Sequence, residues 1–358
     1  MKFNKIKTFK NKNILVTGHT GFKGSWLTLW LNKLGAKVIG LSIDSGHEKG
    51  IFNLSQIGKD IIDIRGDIRD EKKINYIFEK YTPEIIFHLA AQPLVKHSYQ
   101  YPKNTYDVNV MGTLNILEAM RICPSPQIGI FVTSDKCYQN NGWDWGYREV
   151  DPMGGVDPYS SSKGCCELLV SSYRDSYFNT QQFSKHKKAL ATVRAGNVIG
   201  GGDWASNRII PDAMKSLLTN QEIIIRSPDA IRPWQHVLEA LSGYLTLSKK
   251  LLEENIRYSG AWNFGPFSHS IIPVQELVEH IIRIWGYQSA WKVLQSEKTF
   301  YESKILSLDI SKANRSLKWF PKWDIYETVE KTVEWYKHYQ TSNVRELCDK
   351  QINEYCNL

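Results

Sequence analysis

An α/β fold with a doubly wound parallel sheet and a smaller mixed lobe is predicted by three observations. Short apolar runs alternate with amphipathic stretches as far as Arg194, the pattern of parallel strands joined by helices. A glycine-rich turn follows the first run and opens a helix. Beyond Gly196 the texture shifts to shorter elements, punctuated by Pro211, Pro228, Pro233, Pro266 and Pro273.

Each element has its own justification. Asn13-Ile14-Leu15-Val16-Thr17 is an apolar run of strand length that ends at glycine. The helix over 25–31 is closed by Gly35, and 37–43 is a second strand. A weaker run, 61–64, precedes a polar helix over 70–80. Residues 84–90 read as a fourth strand, 109–120 as a helix, 128–134 as a fifth strand and 190–194 as a sixth. The stretch 237–251 has helical periodicity and is placed back against the first domain.

Gly18, Gly21 and Gly24 are spaced G-x-x-G-x-x-G between the first strand and its helix. Glycines there allow a tight turn, close approach of backbone to a pyrophosphate and close helix–strand packing. The helix N-terminus adds free N–H groups for phosphate. These features define a Rossmann-type dinucleotide-binding domain over 1–199 with a return segment 237–262. A substrate-binding lobe takes 200–236 and 263–340, and a polar tail 341–358.

Tyr159 and Lys163 lie one helical turn apart, so they share a face. A cation beside a phenol favours the phenolate, which suits proton removal from a hydroxyl whose carbon gives up a hydride. At the end of the second strand Ser42 stands where an acid usually holds the adenosine ribose, with Asp44 two residues on and no arginine immediately there. NAD is therefore expected rather than NADP. Asp67 is a candidate adenine contact, with an Asx-turn as the alternative.

Composition excludes several classes. A hydrophobic content of 42% and a charged content of 23% are those of a soluble protein. The formal charge of +8 comes largely from scattered lysines such as Lys185, Lys187, Lys249 and Lys250, read as solvated surface and not as a nucleic-acid patch. Six cysteines show no C-x-x-C pair, which suits reduced thiols. The basic start lacks an apolar signal core and no run reaches membrane-spanning length, so a cytoplasmic location is expected. His19, His88 and His236 form no ligand array, and no metal is expected.

Together these residues place the chain as similar to the extended short-chain dehydrogenase/reductase family. Val132-Thr133-Ser134-Asp135-Lys136-Cys137-Tyr138, Arg194-Ala195-Gly196-Asn197 through Trp204, and Arg232-Pro233-Trp234-Gln235-His236-Val237 resemble its nucleotide-sugar 4,6-dehydratases. So do Pro93, Leu94, Val95 and Ser98. The resemblance implies CDP-glucose as substrate and an internal redox cycle on NAD: oxidation at C4, loss of water across C5 and C6, and return of the hydride to C6. It also implies deoxysugar synthesis for cell-surface polysaccharide such as lipopolysaccharide O-antigen.

Residue roles follow from the same resemblance. Tyr159 takes the C4 hydroxyl proton, Lys163 holds the cofactor ribose and lowers the tyrosine pKa, and Ser134 or Thr133 bonds the C4 oxygen. Asp135 protonates the leaving C6 oxygen. Related dTDP-glucose dehydratases carry glutamate next, where this chain has Lys136, expected to act as a desolvated base or to stabilise the C5 enolate; a rim ion pair with Asp135 or Glu149 is the alternative. Cofactor contacts are expected from Gly18, Thr20, Gly21, Phe22, Lys23, Gly24, Ser42, Asp67, Ile68, Leu89, Ala90, Ala91, Asn109, Thr133 and Asn197. Gln92, Ser134, Asn197, Arg208, Arg232, His236 and Tyr301 are expected to face substrate, the arginines because guanidinium binds phosphate bidentately. Helices 109–120 and 159–177 carry apolar residues on more than one face, and in the resembled family they pair across a two-fold axis, so a homodimer or larger assembly is expected.

Two other readings compete. A nucleotide-sugar 4-epimerase needs no acid/base pair for the C5–C6 step, so Asp135-Lys136 counts against it. A non-catalytic dinucleotide sensor has no need to keep Ser134, Tyr159 and Lys163 together.

Overall fold

The computed structural model describes residues 7–286, 290–294 and 306–358. Its centre is a seven-stranded parallel sheet: β1 (Asn13–Thr17), β2 (Lys37–Ser42), β3 (Ile62–Arg65), β4 (Ile85–His88), β5 (Ile128–Val132), β6 (Ala189–Arg194) and β7 (Gly260–Asn263). The spatial order is β7-β6-β5-β4-β1-β2-β3. Alternate side chains leave opposite faces of a strand, and the core divides accordingly. Ile14, Val16, Ile85, Phe87, Ala189, Ala191 and Val193 join one apolar cluster, while Leu15, Ile86 and Leu190 join the other. Burial on both faces is what makes these strands nearly continuous apolar runs.

The helices cover both faces. α1 (Phe22–Lys33) is buried from Gly24 to Leu31, as befits a helix apolar on all sides. α2 (Glu71–Tyr81) starts at Asp70, whose side chain accepts from Lys73 N. α3 (Gly112–Ile122) continues a π-helical turn, Asp107–Met111. α4 (Pro158–Ser176) begins with Asp157 capping Ser160 N and Pro158 in the first turn. The second lobe contains α5 (Ile209–Leu218) and short strand pairs, including 231–233 against 271–273.

α6 (Val237–Glu254) returns the chain to the sheet, and β7 then pairs in parallel with β6. α7 (Val274–Trp285) and α8 (Ile325–His338) follow. The stretch expected to be a polar tail is instead α9 (Val344–Asn357), with Leu347, Cys348, Ile352 and Tyr355 buried. Tyr355 meets the Trp30 ring of α1 edge-on at 5.9 Å. Apolar residues at helical spacing outweigh the polar composition there. No helix among the described residues is long and apolar enough to cross a membrane.

Candidate active site

Strand order reverses between β1 and β4, and open α/β sheets bind ligands at the carboxyl ends of the strands at such a point. The glycine loop lies there. Gly18 has φ +75°, and a Cβ on it would stand 2.9 Å from Ala90 N. A Cβ on Gly24 would overlap the Gly18 carbonyl. Gly21 caps α1 without any side-chain bond, which leaves the first-turn N–H groups open to a phosphate. The cradle fits a dinucleotide. Gly24→Ala is therefore expected to weaken NAD binding at least about 10-fold, by forcing loop and helix apart; titration of cofactor fluorescence checks it.

A buried hydrogen-bond chain fixes the floor of this cradle. Thr113 Oγ1 donates to Asn109 O at 2.6 Å, so it accepts from His88 Nε2 at 3.1 Å. His88 Nδ1 then accepts from Thr17 Oγ1 at 2.8 Å, and that oxygen accepts from Leu89 N and Ala90 N. Burial, and next the Lys163 charge, push the His88 pKa down to about 3, so the ring stays neutral and the proton order is set. Thr17 and Thr113 were not singled out in the sequence. Asn109 belongs to the same framework: its amide brackets the Gln92 backbone at 2.7 and 3.2 Å and donates to Ser162 Oγ at 2.8 Å.

The expected reacting groups converge at the ends of β5 and α4. Tyr159 is buried, and Ser134 lies close enough to its hydroxyl to favour the phenolate. Ser134 Oγ also donates to Asp135 Oδ1 at 2.9 Å and accepts from Lys136 N at 3.2 Å. Thr133 faces the other way: its hydroxyl donates to Glu167, within the buried Glu167–Arg194 pair. Ser134, not Thr133, is thus on the Tyr159 side, because neighbours on an extended chain point to opposite sides.

Burial raises the Tyr159 pKa to about 12; the Ser134 bond and the Arg208 charge favour the phenolate, while Asp135 and Asp157 oppose it. Lys163 was expected to act on the phenol directly. Its Nζ instead donates to Val132 O at 3.1 Å, and burial lowers its own pKa.

Lys23 comes into the same space from the glycine loop. Burial, then Arg208, lowers its pKa to about 8, and Asp135, Lys163 and Asp203 are close enough to act on it. Arg208 pairs with Asp203 at 2.9 Å. Lys136 is exposed, contrary to the expected desolvated amine. It forms no ion pair with Asp135 or Glu149 among the described residues; Glu149 Oε1 instead accepts from Asn263 N at 2.9 Å.

Other expected contacts have structural engagements. Asp67 forms the Asx-turn, accepting Arg69 N at 2.8 Å, and also pairs with the Arg69 side chain, which holds its carboxyl below the usual range. Ser42 Oγ accepts Thr20 N at 3.4 Å, so both residues shape the loop. Ile68 is buried against Gly112. Gln92 braces its own loop, with its amide bonded to Leu94 and Thr105. His236 does not line the pocket: it is fully buried, edge-on to Trp26 and Trp323, and burial drops its pKa to about 3.

Phe22 and Asn197 are half-buried, and Asn197 adopts φ 47°. Ala91 is half-buried in the loop after β4. Arg232 is half-buried, with Nη1 donating to Ile231 O at 2.9 Å. Tyr301 lies outside the described residues. Among them, no group of three His, Cys, Asp or Glu side chains could hold a metal ion.

Comparison with known proteins places the chain in a family. The chain is 46% identical over 348 residues to the CDP-glucose 4,6-dehydratase of Salmonella typhimurium, covering 97% of each chain. The structure superposes on the UDP-glucose 4-epimerase of Thermotoga maritima with UDP-glucose, with a TM-score of 0.79, 24% identity, and coverage of 92% and 99% of the two chains. For dTDP-glucose 4,6-dehydratase of Bacillus anthracis in complex with NAD the TM-score is 0.75 at 22% identity, covering 91% and 96%. The family model described as GDP-mannose 4,6 dehydratase matches residues 15–332, and the chain belongs to that family of nucleotide-sugar 4,6-dehydratases.

Proposed function

We propose that this protein converts CDP-glucose to CDP-4-keto-6-deoxyglucose by an internal hydride transfer. The observation that carries the reading is Asp135, a buried carboxyl bonded to the same Ser134 that acts on the Tyr159 phenol. A 4-epimerase needs the tyrosine and serine but has no use for an acid beside them. Cytidine as the base rests on the CDP-glucose 4,6-dehydratase activity of the Salmonella relative and the 46% identity to it.

The residues present fit NAD, held by the glycine loop, Lys23 and Lys163. When bound, NAD accepts the C4 hydride and gives it back at C6. Tyr159 takes the proton of the C4 hydroxyl. Its pKa of about 12 already includes the favourable effects of Ser134 and Arg208, so reaching neutrality takes roughly 7 kcal/mol more, for which the positive charge of the oxidised cofactor would be a source. The resulting ketone acidifies C5–H. Water takes the C5 proton and returns one to C5 when the hydride arrives at C6; Asp135, in its acid form, protonates the departing C6 oxygen, and Lys136 steadies the negative charge that develops on the C5 enolate. Arg208 and Arg232 bind the substrate diphosphate.

Incubation with CDP-, UDP-, GDP- and dTDP-glucose, followed by NMR of the products, tests the reading. The 4-keto-6-deoxy sugar should form from CDP-glucose, with the other nucleotides slower. A galactose epimer from any of them would contradict it.

The protein works as a homodimer in the cytoplasm, supplying deoxysugar for cell-surface polysaccharide. Supporting the dimer, Met111, Leu168 and Tyr177 are exposed near the α3–α4 pair, an apolar face that pairing would cover. Light scattering at micromolar concentration should give twice the chain mass of 41.3 kDa. A monomer there would remove the dimer from the account.

A further inference from the structure

Gly196 follows β6, and its φ is not in the left-handed range. Backbone conformation therefore does not call for glycine here. Space does: a Cβ on Gly196 would overlap Asp135 Oδ2 and Cγ, and the next nearest atom, at 3.1 Å, is Asp135 Cβ. The carboxylate occupies the volume that any side chain at 196 would fill.

Neither partner can easily retreat. Gly196 O accepts Gln235 Nε2 at 3.2 Å, and Asn197 O accepts Gln235 N at 3.3 Å. Gln235 is itself tied to Phe264 O at 2.9 Å, and 198–199 pair with 235–236. On the other side, Asp135 opens a short turn capped by Ser134, with Oδ1 bonded to Ser134 Oγ and Oδ2 buried without a hydrogen-bond partner. The part free to yield is the end of the aspartate side chain.

We propose that Gly196 is a positioning residue for Asp135, leaving room for its carboxyl group to stand beside Ser134 where, in its acid form, it can protonate the C6 oxygen. This rests on the dehydratase reading given above. A methyl group at 196 rotates the carboxylate off Ser134 and out of reach of the leaving hydroxyl, so elimination suffers while substrate binding does not.

The test is a double-mutant cycle of Gly196→Ala and Asp135→Ala, with kcat, KM for CDP-glucose and absorbance of the reduced cofactor measured at saturating NAD. Gly196→Ala alone should lower kcat by about 10²-fold or more, with KM within about threefold, and reduced cofactor should accumulate. On the Asp135→Ala background the same change should alter kcat by less than about threefold, because the clashing carboxylate is gone. A Gly196→Ala protein that folds only when Asp135 is also alanine would support the contact equally. Losses that multiply in the double variant, or parental turnover in Gly196→Ala, would overturn the inference alone. Parental turnover in Asp135→Ala would overturn the dehydratase reading beneath it.

Discussion

Tyr159→Phe should abolish turnover of CDP-glucose, with kcat reduced by about 10³-fold or more, while NAD affinity changes by less than about threefold. The ring fills the same buried space, and α4 keeps its anchors: the Asp157 cap and the Lys163 bond to Val132 O at 3.1 Å. What is lost is the phenolic oxygen beside Ser134, and with it the acceptor for the C4 proton. Steady-state rates and calorimetric NAD binding on the same preparation separate the two effects. If NAD affinity falls as far as activity, Tyr159 is a binding residue and the proton-transfer role belongs elsewhere.

Lys136→Ala should leave the first half of the cycle intact and slow the second by about 10²–10⁴-fold. Tyr159 and Ser134 still remove the C4 proton, so oxidation proceeds. Without the ammonium near C5 the enolate forms slowly, and the reaction stalls with reduced cofactor and a 4-keto-glucose. In single turnover the reduced-nicotinamide band should rise and persist, and solvent deuterium should enter C5 slowly. Loss of the first hydride transfer would place Lys136 in oxidation instead. Unchanged turnover would leave it a solvated rim lysine, consistent with its exposure and nothing more.

Much of the fold was legible because both faces of the sheet are buried. Strands such as Ile14-Leu15-Val16 and Ile85-Ile86-Phe87 then show as apolar runs between capped helices. The site was legible where local spacing encodes it, as with Gly18, Gly21 and Gly24, or Tyr159 and Lys163. It was not where long-range contacts decide. Nothing local says that Thr133 bonds Glu167, 34 positions on, while Ser134 faces the phenol. His236 looks like a pocket residue until Trp26 and Trp323, distant in the chain, close around it. Asp67 is paired with an arginine two residues away, an engagement that only side-chain geometry reveals. The carboxylate over Gly196 belongs to the same class, since 61 residues separate the partners.

The central claim is that one hydride leaves C4 and returns to C6 of the same sugar. CDP-glucose deuterated at C4, mixed with an equal amount of undeuterated substrate carrying ¹³C, tests it most directly. Mass spectrometry and NMR of the 4-keto-6-deoxy product should find deuterium at C6 only in molecules that began with it. Deuterium scrambled onto the ¹³C molecules, or retained at C4 in an epimerised sugar, would contradict the account.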